Sequence, residues 1–149
     1  VALLVGLFDP LRADAAASVK RLEALGLRTQ ILSGDHPLVA ARGLKGAIYH
    51  VHAKDTRIDP LIGATNGMIE NQPGSDWQER SWNYVALGYG HGEQWWGSFC
   101  AALAASGYDD VLSIEHEDSL MSGTEGLKKA IAFLKDVVIS EPACEAYWA

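Results

Sequence analysis

Two apolar segments of this chain each end in side chains that bind metal ions or carry protons. Residues 47–55 read AIYHVHAKD and contain His50 and His52. Residues 110–118 read DVLSIEHED and contain Glu115, which has a serine two positions before it and a second glutamate two positions after it. Because strand residues two apart share a face, the two histidines point one way from the first segment, and the serine and both glutamates point one way from the second.

If the two segments are neighbouring parallel strands, imidazole and carboxylate groups converge at one edge of a sheet. Histidine nitrogen together with carboxylate oxygen suits Mn, Co, Mg, Zn or Fe(II), and a secure site needs about three or four protein ligands. The two segments supply two such ligands. The sequence therefore predicts part of a metal site rather than a whole one.

Several short motifs carry a resemblance to a known family. They are HVHAKDT at 50–56, YVALGYGHG at 84–92, the Trp95-Trp96 pair, GYD at 107–109 and SIEHED at 113–118. Together they resemble the metal-dependent sugar phosphate isomerases and epimerases, which are xylose-isomerase-like (β/α)8 barrels. The resemblance covers about residues 45–149.

The resemblance implies roles for particular residues. It makes His52 a metal ligand and Glu115 both a metal ligand and the catalytic group that shuttles a proton, and it places His50, Lys54 and Arg57 near the sugar. The implied cofactor is a divalent metal, Mn, Co or Mg, and the implied substrate is a small sugar. The implied reaction moves a proton beside a carbonyl group, through an enediolate that the metal stabilises.

The length of the chain departs from that family. A (β/α)8 barrel takes roughly 250 residues, and this chain has 149. We expect at most the last quarter of a barrel, corresponding to the last two βα units. The family's other two metal-binding carboxylates lie on earlier strands and have no counterpart here, so we expect an incomplete active site.

The N-terminal segment carries a second resemblance. VALLVGLFDPLR at 1–12, a helix, and then RTQILSGDH at 28–36 resemble the HAD-like phosphorylation domain of heavy-metal P-type ATPases, over about residues 3–43. By that resemblance Asp35 would help to hold Mg²⁺. The phosphorylated aspartate with its Lys-Thr-Gly-Thr surroundings has no counterpart, nor have the nucleotide domain and the transmembrane helices, so the prediction excludes ATP-driven transport.

Two family resemblances that meet near residues 41–47 suggest an engineered chimera, with a natural fusion or fragment as the alternative. We predict one domain over 1–149, with a P-type-ATPase-like segment at 1–44 and a barrel-derived segment at 45–149. Three functional hypotheses follow. A chimeric scaffold without catalytic activity ranks first, a surviving metal-dependent sugar isomerase or epimerase second, and a fragment active only on assembly third.

Charge and hydropathy exclude two classes of partner. The net charge is −7, the 12 Lys and Arg residues form no basic stripe, and the pI is near 5.1, so we predict no nucleic-acid partner. No apolar run approaches the ~20 residues that span a bilayer, and the N-terminus lacks a signal-peptide pattern. We therefore expect no membrane partner and a cytoplasmic location.

The pattern of apolar residues predicts an α/β fold. Its elements are strands at 1–8, 28–32, 47–55, 82–87 and 110–118, and helices at 93–106 and after the capping residues Asp14, Asp35 and Ser122. The last helix has Leu127, Ile131, Leu134 and Val138 on one apolar face. The alternative for residues 116–118 is a solvated loop. Strands that alternate with helices predict a mainly parallel sheet of four to five strands with flanking helices. An open three-layer, flavodoxin-like sheet is favoured over a half-barrel, whose uncovered edges would favour a homodimer.

Two glycine-containing segments leave alternatives open. Residues 57–81 have little periodicity, and we expect a mobile loop there. The run Gly88-Tyr-Gly-His-Gly92 is typical of a flexible turn, and the alternative is a loop whose backbone amides bind an anion such as phosphate.

Overall fold

The structure is a computed structural model that describes residues 3–7, 15–25, 29–33, 36–68, 72–141 and 144. The chain divides into two compact units. The first comprises Val1–His50, Ser98–Val111 and Ile139–Ala149, and the second comprises Val51–Gly97 and Leu112–Val138. No helix in the described ranges is both long enough and apolar enough to cross a membrane.

The first unit contains a parallel βαβ segment followed by a short helix. Its elements are β1 (Leu3–Leu7), α1 (Ala15–Ala24), β2 (Thr29–Ser33) and α2 (Pro37–Gly43). β1 and β2 pair in parallel, with Leu3 opposite Thr29 and Leu7 opposite Ser33. The predicted order of strand, helix, strand and helix is thus observed, with bounds that differ by a few residues.

Helix α2 begins differently from the prediction. The sequence suggested Asp35 as the capping residue, but the N-cap is His36, whose Nδ1 accepts a hydrogen bond from the Leu38 amide at 3.4 Å. A proline at the first helical position supports this start, because its missing N–H would have had no partner within the helix. Asp35 itself lies outside the described residues, and so does the Mg²⁺ role predicted for it.

The second unit contains most of the remaining elements. These are β3 (Val51–Ala53), β4 (Asp55–Ile58), α3 (Pro60–Asn66), a 3₁₀ segment (Gly74–Glu79), β5 (Trp82–Val85), β6 (Leu112–Ile114) and α5 (Gly123–Val137). Helix α4 (Glu93–Ala105) begins in this unit and continues into the first. The predicted helices at 93–106 and after Ser122 are therefore present with nearly the expected bounds.

The strands in the described part of the chain form three separate pairs. β1 pairs with β2 and β3 with β6, both in parallel, and β4 pairs with β5 in antiparallel orientation. The α/β class, the parallel pairing and the flanking helices are confirmed. The described strands form three two-stranded sheets instead of one continuous sheet of four to five strands, because the segment predicted as one strand at 47–55 changes partner at Lys54.

The described part of residues 57–81 contains more regular secondary structure than the sequence suggested. The segment begins in β4, continues as α3 and includes the 3₁₀ segment before β5. Asp59 caps α3 by accepting the amides of Leu61 and Ile62 at 2.9 and 3.1 Å. The prediction of a long irregular loop is wrong for the described part of this segment, since a capped helix and a strand pairing satisfy much of its backbone.

Helix α5 starts as predicted, but its buried face matches the predicted one only at Leu134. Ser122 is the N-cap, and its hydroxyl accepts the Glu125 amide at 3.2 Å. The buried residues are Gly126, Ala130 and Leu134, which follow each other at four-residue spacing. The predicted core face contained Leu127 and Ile131, Leu134 and Val138. Of these, Leu127 and Ile131 are 45% and 41% exposed.

Candidate metal and substrate site

Neighbouring parallel strands bring His52 and Glu115 together. His52 on β3 lies opposite Ser113 on β6, and the Glu115 amide donates to the Ala53 carbonyl at 3.0 Å, which extends the ladder by one residue. The carboxyl ends of both strands therefore meet at one edge. There the His52 Nδ1 contacts Glu115 Oε1 directly.

Lys54 completes this cluster from the other side of Glu115. Its Nζ lies 3.2 Å from Glu115 Oε2 and 2.9 Å from Glu117 Oε1. The same ammonium lies over the Tyr84 ring, 3.8 Å from the ring centroid. We call these five side chains, His52, Lys54, Tyr84, Glu115 and Glu117, the Lys54 cluster.

Contacts within the Lys54 cluster shift two pKa values. Hydrogen bonds from His52 and then from Lys54 lower the pKa of Glu115, so its carboxylate form is favoured. Partial burial acts to lower the pKa of Lys54, but the hydrogen bonds to Glu117 and Glu115 outweigh it and the pKa lies above its ordinary value. Both groups are therefore charged at neutral pH.

Sequence reasoning missed the parts played by Tyr84 and Glu117. Tyr84 pairs with Thr56 across the antiparallel β4–β5 ladder, which puts its ring on the face of Thr56 and beside Lys54. The sequence placed Glu117 on the same face as Glu115 but indicated no partner for it. The position of Tyr84 beside Lys54 was not predicted because neither the β4 strand nor its antiparallel pairing was predicted.

Asp55, next to Lys54 in the chain, is fully buried and faces away from the Lys54 cluster. Its Oδ2 accepts the backbone amides of Gly88, Gly90 and His91 at 3.0, 3.1 and 3.0 Å, and the Trp96 indole Nε1 at 3.3 Å. These contacts join the start of β4 to the glycine loop before α4. Sequence reasoning gave Asp55 no role.

The other oxygen of Asp55 is also occupied. Oδ1 accepts the Thr56 amide at 2.9 Å and lies 2.7 Å from His91 Nδ1. The His91 ring in turn packs against Trp95, with 4.5 Å between the ring centroids. The three loop amides that the sequence offered to an external anion therefore surround an internal carboxylate, so the anion-binding alternative is wrong for them.

Asp118 is a second buried carboxylate with an internal role. It accepts the Ala86 amide at 2.9 Å and the Leu120 amide at 2.7 Å. The sequence suggested a solvated loop at this position. The contact instead ties the segment after β6 to the end of β5.

The remaining predicted site residues are His50 and Arg57. His50 precedes β3 and is exposed. Arg57 is exposed on β4 and, by strand alternation, points to the face opposite Thr56 and Tyr84. Sugar binding by His50, Lys54 and Arg57 stays a prediction.

The donor set of the cluster suits a divalent metal in kind but not in number. His52 nitrogen and Glu115 oxygen are ordinary ligands for Mn, Co or Zn. Among the described residues no three His, Cys, Asp or Glu side chains lie close enough together to hold a metal ion. The pair can therefore supply two ligands, and further ligands would have to come from elsewhere.

Comparison with known proteins identifies the family. Residues 18–137 match the xylose isomerase-like TIM barrel family. The protein is also similar to YfiH of Bacillus subtilis strain 168, a protein described as uncharacterized, with 41% identity over 105 residues. That stretch is 70% of this chain and 34% of YfiH, so the chain spans about a third of the length of this relative.

The family match also bears on the two sequence resemblances. It begins at residue 18, inside the segment compared with P-type ATPases, and runs across the expected junction at 41–47. Neither comparison supports the P-type ATPase resemblance or a chimeric origin. The barrel resemblance is confirmed and extends further towards the N-terminus than the motifs indicated. The chain belongs to the xylose isomerase-like TIM barrel family.

Proposed function

We propose that this chain carries the metal-binding corner of a sugar isomerase or epimerase site of the xylose isomerase type. The observation behind the proposal is the direct contact between His52 and Glu115, which extend from the ends of two adjacent parallel strands. Barrel enzymes build their active sites at the carboxyl ends of their strands. The family membership and the position of His52 and Glu115 at the carboxyl ends of their strands both support the proposal.

His52 and Glu115 would be the two ligands that this chain gives to Mn²⁺, Co²⁺ or Mg²⁺. A bound divalent metal would polarise the oxygens of a ketose and stabilise the enediolate. The side chains of His52 and Glu115 already lie in contact at the ends of two adjacent strands, so both would hold the same metal ion.

Glu115 is better prepared as a ligand than as a base in the present arrangement. A general base works best with a pKa near the working pH, whereas the contacts with His52 and Lys54 lower the pKa of Glu115. Proton transfer by Glu115 would need Lys54 to turn towards Glu117, which already holds it at 2.9 Å. We propose metal binding as the first role of Glu115 and proton transfer as the second.

A calorimetric titration with Mn²⁺ tests the proposal. The folded protein should bind one equivalent, and both His52→Ala and Glu115→Ala should weaken that binding by about 10-fold to 100-fold or more. Glu125→Gln is a matched control, since it removes one carboxylate charge from an exposed pair with Lys129, at 2.8 Å, on α5. An affinity equal to that of the parent in either alanine variant would contradict the proposal, and absence of binding in the parent would favour the inert scaffold.

A second candidate function is a fragment that becomes active on assembly, with a homodimer as the simplest form. The observation that favours it is that Leu127 and Ile131 on α5 are 45% and 41% exposed. Exposed apolar side chains at helical spacing are typical of a surface that packs against another element. Light scattering across a concentration series, followed by sugar turnover with Mn²⁺ at each concentration, separates this candidate from a monomeric enzyme.

A further inference from the structure

We propose that Arg80 is the centre of an oxyanion-binding site on the second unit, with a carboxylate or a phosphate group as its ligand. Arg80 lies between the 3₁₀ segment and β5. It stands at the opposite end of an aromatic pair from Lys54. Anion binding there needs neither a metal ion nor sugar turnover, so it goes beyond the function proposed above.

The aromatic pair on β5 carries a cation at each end. Trp82 and Tyr84 are two residues apart on the strand, so their rings share a face, and the ring centroids lie 5.3 Å apart. The Lys54 ammonium lies 3.8 Å from the Tyr84 centroid, and the Arg80 guanidinium carbon lies 4.3 Å from the Trp82 centroid. Cation–π contacts therefore hold both cations on this face.

The two cations differ in their anionic partners. Lys54 has two carboxylates within 3.2 Å, whereas within the described part of the chain no carboxylate forms an ion pair with Arg80. The acidic residues nearest to it in sequence, Asp76 and Glu79, belong to the 3₁₀ segment and are exposed. The charge of Arg80 thus lacks the compensation that Lys54 receives.

Burial makes that missing partner costly. The Arg80 side chain is half-buried, and its Nε is buried without a hydrogen-bond partner. A guanidinium has five N–H donors, and an unsatisfied buried polar group or an unpaired buried charge destabilises the folded state. An anion at the terminal nitrogens would compensate the positive charge, because that charge is delocalised over all three nitrogens.

The guanidinium is open to an anion on the side of Gly74. A Cβ added at Gly74 would have a single neighbour within 4 Å, the Arg80 Nη1 at 4.0 Å, and Gly74 itself is exposed. The Trp82 ring lies against the guanidinium and holds it in place. The planar fork of arginine matches carboxylate and phosphate oxygens, which accept two parallel hydrogen bonds from it.

Other charges of the protein do not supply the missing partner. A divalent ion held by His52 and Glu115 would be positive, and it would lie beyond Lys54 at the other end of the aromatic pair. The whole chain has a net charge of −7, which disfavours unspecific binding of anions. Saturable binding of an anion would therefore report a local site.

NMR titration of the folded, ¹⁵N-labelled protein tests the site through the arginine Nε–Hε resonances. The probes are inorganic phosphate and malonate, each added without a divalent metal. The Arg80 resonance should shift saturably with at least one probe, with half-saturation at or below about 1 mM. Arg42, exposed in the last turn of α2, is the reference in the same spectrum and should not saturate in that range. Saturation with one probe alone identifies the ligand group as phosphate or as carboxylate.

Gly74→Asp supplies an internal competitor, because it places a carboxylate beside the Arg80 Nη1. It should raise the half-saturating concentration at least about tenfold, which corresponds to about 1.4 kcal/mol. Gly74→Asn is the matched neutral control and should bind the anion as the parent does. Gly74 is exposed and is not among the glycines with positive φ, so both side chains fit its backbone.

Two results would overturn the site. One is the absence of a saturable Arg80 shift with both probes. The other is equal anion affinity of Gly74→Asp and Gly74→Asn, since an anion at this edge of Arg80 would have to compete with the new carboxylate. Loss of Mn²⁺ binding in His52→Ala should leave the Arg80 titration unchanged, so the metal-binding function and the anion site succeed or fail separately.

Discussion

Replacing Asp55 with asparagine should destabilise the second unit strongly, because six hydrogen-bond donors surround its buried carboxylate. The donors are the amides of Thr56, Gly88, Gly90 and His91, the His91 imidazole and the Trp96 indole. An asparagine keeps one oxygen for these donors. Its NH₂ group replaces the other oxygen and cannot accept.

The magnitude follows from the donors that lose their acceptor or its charge. With the asparagine oxygen at the Oδ2 position, the NH₂ group faces the Thr56 amide, and an unsatisfied buried donor costs about 1–3 kcal/mol. The remaining bonds become neutral, and each loses up to about 1 kcal/mol because hydrogen bonds to charged groups are stronger. We expect a total of about 3–5 kcal/mol, a large part of the 5–15 kcal/mol typical of a domain.

Urea unfolding followed by tryptophan fluorescence measures the loss, and amide hydrogen exchange locates it. The amides of Gly88, Gly90 and His91 should exchange much faster in Asp55→Asn than in the parent. Asp110→Asn is the matched control, since Asp110 accepts one exposed amide, from Val111 at 2.7 Å, and we expect a change within about 0.5 kcal/mol. Equal stability of the two variants, or unchanged exchange at the three loop amides, would refute this account of Asp55.

Two further predictions concern the packing of α5 and the loss of folding stability at low pH. A Cβ at Gly126 would lie 1.9 Å from the His116 ring, whereas one at Gly123 meets nothing within 4 Å. Gly126→Ala should therefore lower the free energy of unfolding by about 1–3 kcal/mol. Gly123→Ala should leave it unchanged or raise it by up to about 1 kcal/mol. Equal stability of the two variants in urea unfolding would contradict the placement of His116. The pKa of Glu115 is lowered by His52 and then by the adjacent lysine, so its contribution to stability is present above its unfolded pKa and is lost as the pH falls through the lowered folded pKa. Below about pH 4 the parent should lose stability more steeply than Glu115→Gln, and parallel pH profiles would count against the contacts seen here.

Local signals in the sequence anticipated the elements and the contact between one pair of candidate site residues. The Ser122 cap and the helical spacing after it gave the start of α5, because capping is decided by neighbouring residues. The meeting of His52 and Glu115 followed from period-two alternation on two strands assumed to be parallel neighbours. The first inference needed only a short stretch of sequence, whereas the second also needed the assumption that two distant strands are neighbours.

Contacts between distant positions were beyond the sequence. Asp55 is 33 to 36 residues from the loop amides that it holds, and nothing in the HAKD motif indicates which way its side chain turns. The antiparallel pairing of β4 with β5 places Tyr84 beside Lys54. It was not predicted because residues 57–81 show little periodicity. The buried face of α5 was predicted only in part. Apolar spacing indicates a helix, but it does not show that neighbouring segments pack closely against the small residues Gly126 and Ala130.

The most direct test of the metal-binding corner is the NMR spectrum of the histidine side chains during titration with Mn²⁺. The chain has five histidines, so the spectrum shows which of them lies next to the paramagnetic ion. We predict that the His52 resonances broaden first, at substoichiometric Mn²⁺, and that Glu115→Ala abolishes this selectivity. Equal broadening of all five histidines, or selective broadening of His36, His91 or His116, would contradict the proposed site.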